Sequence, residues 1–151
     1  MDGMVDGYLH LGKLYEEGKG CKQDYIQAIK FYEEAAKYNS NDALFQLGKL
    51  YQNGQGVEKN INKAINYYLA SARKNNAIAY IVLGSIYSAG YEITRDYSKA
   101  KYFYEEALKL DSSFAAYALG NMYEGGFGIE KDSSQALKLF ELSASKNNSY
   151  A

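Results

Sequence analysis

The stretch ALFQLGKLYQNGQGV, residues 43–57, holds a Leu47-Gly48 pair with Tyr51 three residues beyond the glycine. The same trio returns as Leu11-Gly12 with Tyr15, Leu83-Gly84 with Tyr87 and Leu119-Gly120 with Tyr123, always 36 residues apart. A fixed period in the range of about 20–50 residues marks stacked repeats, because each unit buries its apolar face only against its neighbours. Within the quoted stretch Ala43, Leu47, Leu50, Tyr51 and Gly54 follow the spacing of one helical face. Gly48 lies inside that helix, where glycine costs roughly 1 kcal/mol against alanine. Its return in every copy predicts that a partner helix approaches where a Cβ would clash.

Working outward, Gly18, Gly54, Gly90 and Gly126 stand where the first helix should stop, as left-handed closing residues. A second glycine follows at Gly20, Gly56 and Gly128; Glu92 replaces it in the third copy, whose loop is expected to differ. Next comes one apolar residue (Cys21, Val57, Ile93 or Ile129) expected to tuck the loop onto the core, with Cys21 a small buried hydrophobe. Asp24, Asn60, Asp96 and Asp132 then suit an N-cap, and Gln27 and Gln135 stand where they complete a capping box. In the second helix Ala28, Ala64, Ala100 and Ala136 each precede an aromatic by four residues: Tyr32, Tyr68, Tyr104 and Phe140. Small residues against aromatic ones predict closely packed helices. Asn39, Asn75, Asp111 and Asn147 mark the turn into the next unit.

The pattern therefore predicts an all-α chain of eight antiparallel helices, stacked as four hairpins over 7–42, 43–78, 79–114 and 115–150. Residues 1–151 form a single domain in this reading, and Ala151 begins a possible further repeat. Leu142 stands where earlier units have Glu34, Ala70 and Glu106, so the last hairpin lacks the polar cap that ends an array. The expectation is a segment of a longer array, or else a weak homodimer through the terminal hairpin of an otherwise monomeric chain.

Leu-Gly-x-x-Tyr, then Gly-x-Gly-Val/Ile, then Asp-x-x-x-Ala and an aromatic followed by small residues, resembles the Sel1-like repeat, a relative of the tetratricopeptide repeat. The match covers 7–150, and the 36-residue period and double glycine favour it over the 34-residue tetratricopeptide unit. The resemblance implies a right-handed α-solenoid serving as an adaptor or scaffold, with no catalytic motif to carry over. Cysteine-rich members pair cysteines in each unit; the single Cys21 excludes that here.

Composition narrows the function classes. A net charge of −1 with interspersed charges provides no basic stripe for nucleic acid and no polybasic run for lipid. No apolar run approaches the about 20 residues that cross a bilayer, and residues 1–6 lack the regions of a signal peptide. A soluble protein is expected, with the cytoplasm favoured and the compartment otherwise open. One cysteine and one histidine, Cys21 and His10, cannot build a Cys/His zinc cluster. The Gly-x-Gly loops join helix to helix without the strand and Lys-Ser/Thr of a phosphate loop. The acid pairs Glu16-Glu17, Glu33-Glu34 and Glu105-Glu106 are sequence neighbours about 100° apart on a helix, so none is a carboxylate dyad. No cofactor, no metal and no catalysis is the resulting expectation.

With the Leu47, Leu50 and Tyr51 stripe turned to the core, a second stripe of the first helix is left over: Asp42, Phe45, Lys49 and Gln52. In the tetratricopeptide family, positions at this offset line the concave groove. By resemblance the other sets are Asp6, Leu9, Lys13 and Glu16; Ile78, Ile81, Ser85 and Ser88; and Phe114, Tyr117, Asn121 and Glu124. These positions vary between copies while the core positions repeat. The expected ligand is a protein or peptide whose acidic part meets Lys13 and Lys49 and whose apolar part meets Ile81, Phe114 and Tyr117. The competing readings are plain. Asp6 and Asp42 complement helix N-termini, Ile78, Ile81 and Phe114 pack between units, and the lysines are solvated. Seventeen tyrosines also raise a carbohydrate- or cell-wall-binding alternative, and a polymer hydrolase is a third. Yet Tyr15, Tyr51, Tyr87 and Tyr123, with Tyr32, Tyr68 and Tyr104, belong to the core stripes. Tyr8, Tyr80, Tyr91, Tyr117 and Tyr150 are less explained by the repeat. Asn147-Asn148-Ser149 is a formal glycosylation sequon.

Overall fold

The computed structural model describes residues 2–148; the end of the sequon at Ser149, Tyr150 and Ala151 lie outside the described residues. Eight helices follow one another: α1 (Asp2–Glu17), α2 (Tyr25–Lys37), α3 (Asn41–Asn53), α4 (Ile61–Ala72), α5 (Ala77–Ala89), α6 (Tyr97–Lys109), α7 (Ser113–Gly125) and α8 (Ser133–Asn148). Among the described residues there is no strand. The chain divides into two compact units, Met1–Lys74 and Asn75–Ala151, each built of two helical hairpins.

Each hairpin is closed the same way. The first helix ends on a left-handed glycine, with φ 68° at Gly54 and 70° at Gly126. The N-cap of the second helix then donates its backbone N–H to the carbonyl of the motif tyrosine. These bonds run from Asp24 to Tyr15, Asn60 to Tyr51 and Asp96 to Tyr87 at 2.9 Å, and from Asp132 to Tyr123 at 3.0 Å. The cap side chains accept in turn: Asp24 Oδ1 takes the N–H groups of Ile26 and Gln27, and Asp132 Oδ1 that of Gln135. This is the cap's half of the expected box, about 1 kcal/mol per cap. Asn39, Asn75 and Asp111 make the turns into the next repeat with φ of 60°, 62° and 63°. Asn147 makes no such turn, because α8 runs on to Asn148.

The glycine inside each first helix is a seat for a ring. A Cβ built on Gly48 would lie 2.7 Å from Cε1 of Tyr68; on Gly12, 2.5 Å from Tyr32; on Gly84, 2.6 Å from Tyr104; on Gly120, 2.6 Å from Phe140. Tyr32 and Tyr68 are almost fully buried there, and Tyr32 clusters with Ala28, Leu47 and Leu50 in the first unit. The second unit gathers Ala100, Tyr104, Ala116, Leu119, Met122 and Leu139 into the equivalent core. In two loops the second glycine has its own neighbour. A Cβ on Gly56 would meet Tyr25 at 2.6 Å, and one on Gly128 would meet Tyr97 at 2.3 Å, so these two loops press on the preceding second helix of their unit. In the third loop Glu92 does not take the left-handed conformation that Gly20, Gly56 and Gly128 share, which is the departure expected there.

Four readings need correction. Cys21 is exposed, its Sγ 3.7 Å from the Leu14 carbonyl; a small thiol in a wide loop turn does not reach the core as Val57 and Ile129 partly do. Leu11 is 39% exposed although Leu47, Leu83 and Leu119 are at most 3% exposed. Asp6 does not complement a helix N-terminus, because α1 starts four residues earlier at Asp2; Asp42 does lie in the first turn of α3. Ile78 and Phe114, weighed as packing residues, are 60% and 49% exposed.

Replacing Gly48 by alanine gains about 1 kcal/mol of helix propensity but drives a methyl into the Tyr68 ring. A net loss of about 1–2 kcal/mol is expected in denaturant unfolding. Gly7, inside α1, has nothing within 4 Å of its Cβ position, so Gly7→Ala should stabilise by up to about 1 kcal/mol. Equal effects of the two changes would rule out the ring seat.

Candidate partner-binding surface

The second stripe of each first helix is tied to the core through the seated ring. The Tyr32 hydroxyl donates to Glu16 Oε2 at 2.5 Å, and the Tyr68 hydroxyl to Gln52 Oε1 at 2.7 Å. The Tyr104 hydroxyl lies 3.3 Å from Ser85 Oγ and 3.5 Å from Ser88 Oγ. Glu16, Gln52 and Ser88 are equivalent positions. In the fourth repeat that position is Glu124, and the ring beneath is Phe140, which has no hydroxyl to offer.

In the first unit the stripe is largely self-satisfied. Glu16 also faces the Lys49 ammonium at 3.5 Å, and Lys49 donates to Gln46 Oε1 at 2.8 Å. Phe45 packs on Tyr68 with ring centroids 5.4 Å apart, and Leu9 leans on the core. Lys13 and Gln52 are half-buried, and Asp6 and Asp42 exposed.

In the second unit the stripe borders a cleft of about 310 Å³. Its walls are Ser88 of α5, Tyr97 and Tyr104 of α6, and Phe114, Tyr117, Ala118, Asn121 and Met122 of α7, with Phe127 from the following loop. Tyr117 packs against Phe140 at 5.9 Å yet stays 50% exposed, and Phe127 stacks on Tyr97 at 5.6 Å. Ser88, Tyr117 and Asn121 were candidates from the sequence, as was Phe114 as a place for an apolar ligand; Ile81, half-buried, and Ser85 and Glu124, exposed, do not line the cleft. Tyr97 and Phe127 were missed. The signal was present: Gly125 is peculiar to the fourth repeat, and a Cβ there would lie 2.2 Å from the Phe127 ring, so this glycine lets Phe127 fold back over the cleft.

Comparison with known proteins fits this architecture. The family model of the Sel1 repeat matches residues 5–37, 41–76, 77–112 and 113–148. The chain belongs to the Sel1 repeat family. The family frame keeps the 36-residue period and opens each repeat two residues ahead of the sequence-based frame. The Sel1 repeat protein from Oxalobacter formigenes is 33% identical, with a TM-score of 0.86 over 94% of this chain and 58% of that one. The c5321 protein, a protective antigen present in uropathogenic Escherichia coli strains and displaying an SLR fold, is 28% identical, with a TM-score of 0.88 over 95% of this chain and 31% of that one. Helicobacter pylori cysteine rich protein B is 25% identical, with a TM-score of 0.62 over 82% of this chain and 89% of that one. The chain thus spans less than two thirds of the first two. No curated protein matches it. The fold class is all-α, of the solenoid kind built from Sel1 repeats. Such repeats are generally protein-interaction scaffolds and typically noncatalytic. No described helix is long and apolar enough to cross a membrane.

Within these Sel1 repeats the phenols of Tyr32 and Tyr68 are held neutral. Burial first, and then the hydrogen bond and charge of Glu16, push Tyr32 far above the usual tyrosine range; burial does the same to Tyr68. A folded-state value raised above the unfolded value of about 10 means that this stabilisation is whole below about pH 10 and is lost as pH rises beyond it. Stability should therefore fall through the alkaline range, less steeply in Tyr68→Phe, which at neutral pH should cost roughly 0.5–1.5 kcal/mol for the Gln52 bond. Thermal melts read beside tyrosinate absorbance check both statements.

Proposed function

We propose that the chain is a noncatalytic interaction module that meets a peptide of a partner protein on the first-helix stripe of its second unit, with the cleft there taking an apolar part of that peptide. The cleft carries this reading: five aromatic rings surround it, and Phe114, Tyr117 and Phe127 each keep nearly half their surface exposed. Exposed rings held at a concave, preformed place supply large contact area at low entropic cost, which is how peptide anchors are bound. The polar groups present, Ser88, Asn121 and the phenol hydroxyls, suit a peptide backbone better than the dense hydroxyl pattern of a sugar. The acidic half of the ligand expected from the sequence finds less support, because Lys49 already pairs with Glu16.

Tyr117→Ala should weaken binding of a peptide ligand by about tenfold or more while leaving the melting temperature nearly unchanged, as befits a half-exposed anchor. Isothermal titration beside a melting curve tests this. Unaltered affinity would reject the cleft as the contact surface.

A further inference from the structure

Repeat-by-repeat comparison singles out Glu124. At its position Glu16 accepts from Tyr32 and faces Lys49, Gln52 accepts from Tyr68, and Ser88 meets Tyr104. Phe140 removes the internal hydroxyl from the fourth repeat, and a carboxylate stands where three repeats hold an engaged polar group. Glu124 is exposed and has no hydrogen-bond or ion-pair partner among the described residues. It lies one helical turn beyond Asn121, a residue of the cleft wall, on the same side of α7. No lysine or arginine lines that cleft. Arg95, beside the Tyr97 ring of the cleft wall, is already engaged: its guanidinium donates to the Ala89 carbonyl at 3.0 Å and lies 5.6 Å from that ring. The unpaired charge next to Asn121 on its helix is therefore negative. Ring faces and a carboxylate attract the same ligand group, a cation. In the first unit an ammonium group does lie against a tyrosine ring, with Lys63 Nζ 4.1 Å from the Tyr51 ring centroid.

We infer that the cleft receives a peptide bearing a bulky apolar side chain with a lysine or arginine beside it. The apolar group sits between Phe114, Tyr117 and Phe127, and the cationic head pairs with Glu124. This rests on the reading of the stripe as a partner surface, and it adds the sign of the partner's charge. It also makes the fourth repeat the one whose interior was altered to serve its exterior.

A random peptide library displayed on phage is selected against the full chain. The enriched peptide and a version with its basic residue changed to glutamate are then titrated by fluorescence anisotropy. Selection should enrich an apolar residue next to lysine or arginine. Glu124→Lys, at an exposed site that leaves the fold intact, should weaken the basic peptide by about tenfold and strengthen the glutamate version. Gly125→Ala, which displaces the Phe127 ring, should weaken both peptides alike. Peptides that depend on Tyr117 but are indifferent to the charge at 124 would overturn the cationic partner and leave the cleft standing. Selection that yields no Tyr117-dependent peptide would overturn both.

Discussion

The seat that a mid-helix glycine offers to an aromatic ring sets the distance between the two helices of every repeat. At Gly12, Gly48, Gly84 and Gly120 any side chain would lie within 2.7 Å of a ring atom of the partner helix. The ring also packs on the inward residues of the next first helix, Tyr32 with Leu47 and Leu50 and Tyr104 with Leu119 and Met122. The tyrosine carbonyl one turn on then receives the N-cap of the returning helix, so a single motif supplies both the packing contact and the backbone latch. The loss of helix propensity at each glycine is small beside the burial of a whole tyrosine, worth roughly 1.5–3 kcal/mol.

Because the ring is a phenol in three repeats, its hydroxyl carries the core outward to the stripe. In the first unit this consumes the polar groups of the stripe: Glu16, Gln52 and Lys49 bond chiefly to one another and to the interior. In the second unit serines replace the longer side chains, Phe140 has no hydroxyl, and aromatic residues border an open cleft. The two units share a fold and differ in how much of the same face is left for another molecule.

Periodicity made the scaffold legible. Repeating positions are those where geometry tolerates one answer, and so the ring seats, left-handed glycines, N-caps and hairpin count could be read from residue spacing alone. What could not be read were single-copy features. Leu11 carries the residue of its repeat yet is exposed, since exposure depends on what lies alongside and not on the local pattern. Cys21 was assigned by analogy with Val57 and Ile129, but its shorter side chain leaves it in solvent. The stripe was located by offset, and Tyr117, Asn121 and Ser88 do border a cleft; Tyr97 and Phe127 come from elements that no offset rule connects to it. The unlike triplet Gly125-Gly126-Phe127 was the visible trace of that departure.

The two kinds of turn also differ in what they permit. Within a hairpin the closing glycine is required by its dihedral, and at Gly90 by space as well: a Cβ there would lie 2.6 Å from Arg95 Cβ. Between repeats, Asn39, Asn75 and Asp111 meet the dihedral demand alone, with side chains that tolerate the left-handed region. The hairpin is thus the indivisible length and the Asn/Asp junction the place of division, and the boundary between the compact units falls on one, at Lys74 and Asn75. A gene that grows or shrinks by copying 36-residue lengths can break at such junctions and leave each ring on its glycine. Array length is then free to drift across generations while the architecture of the single hairpin stays fixed.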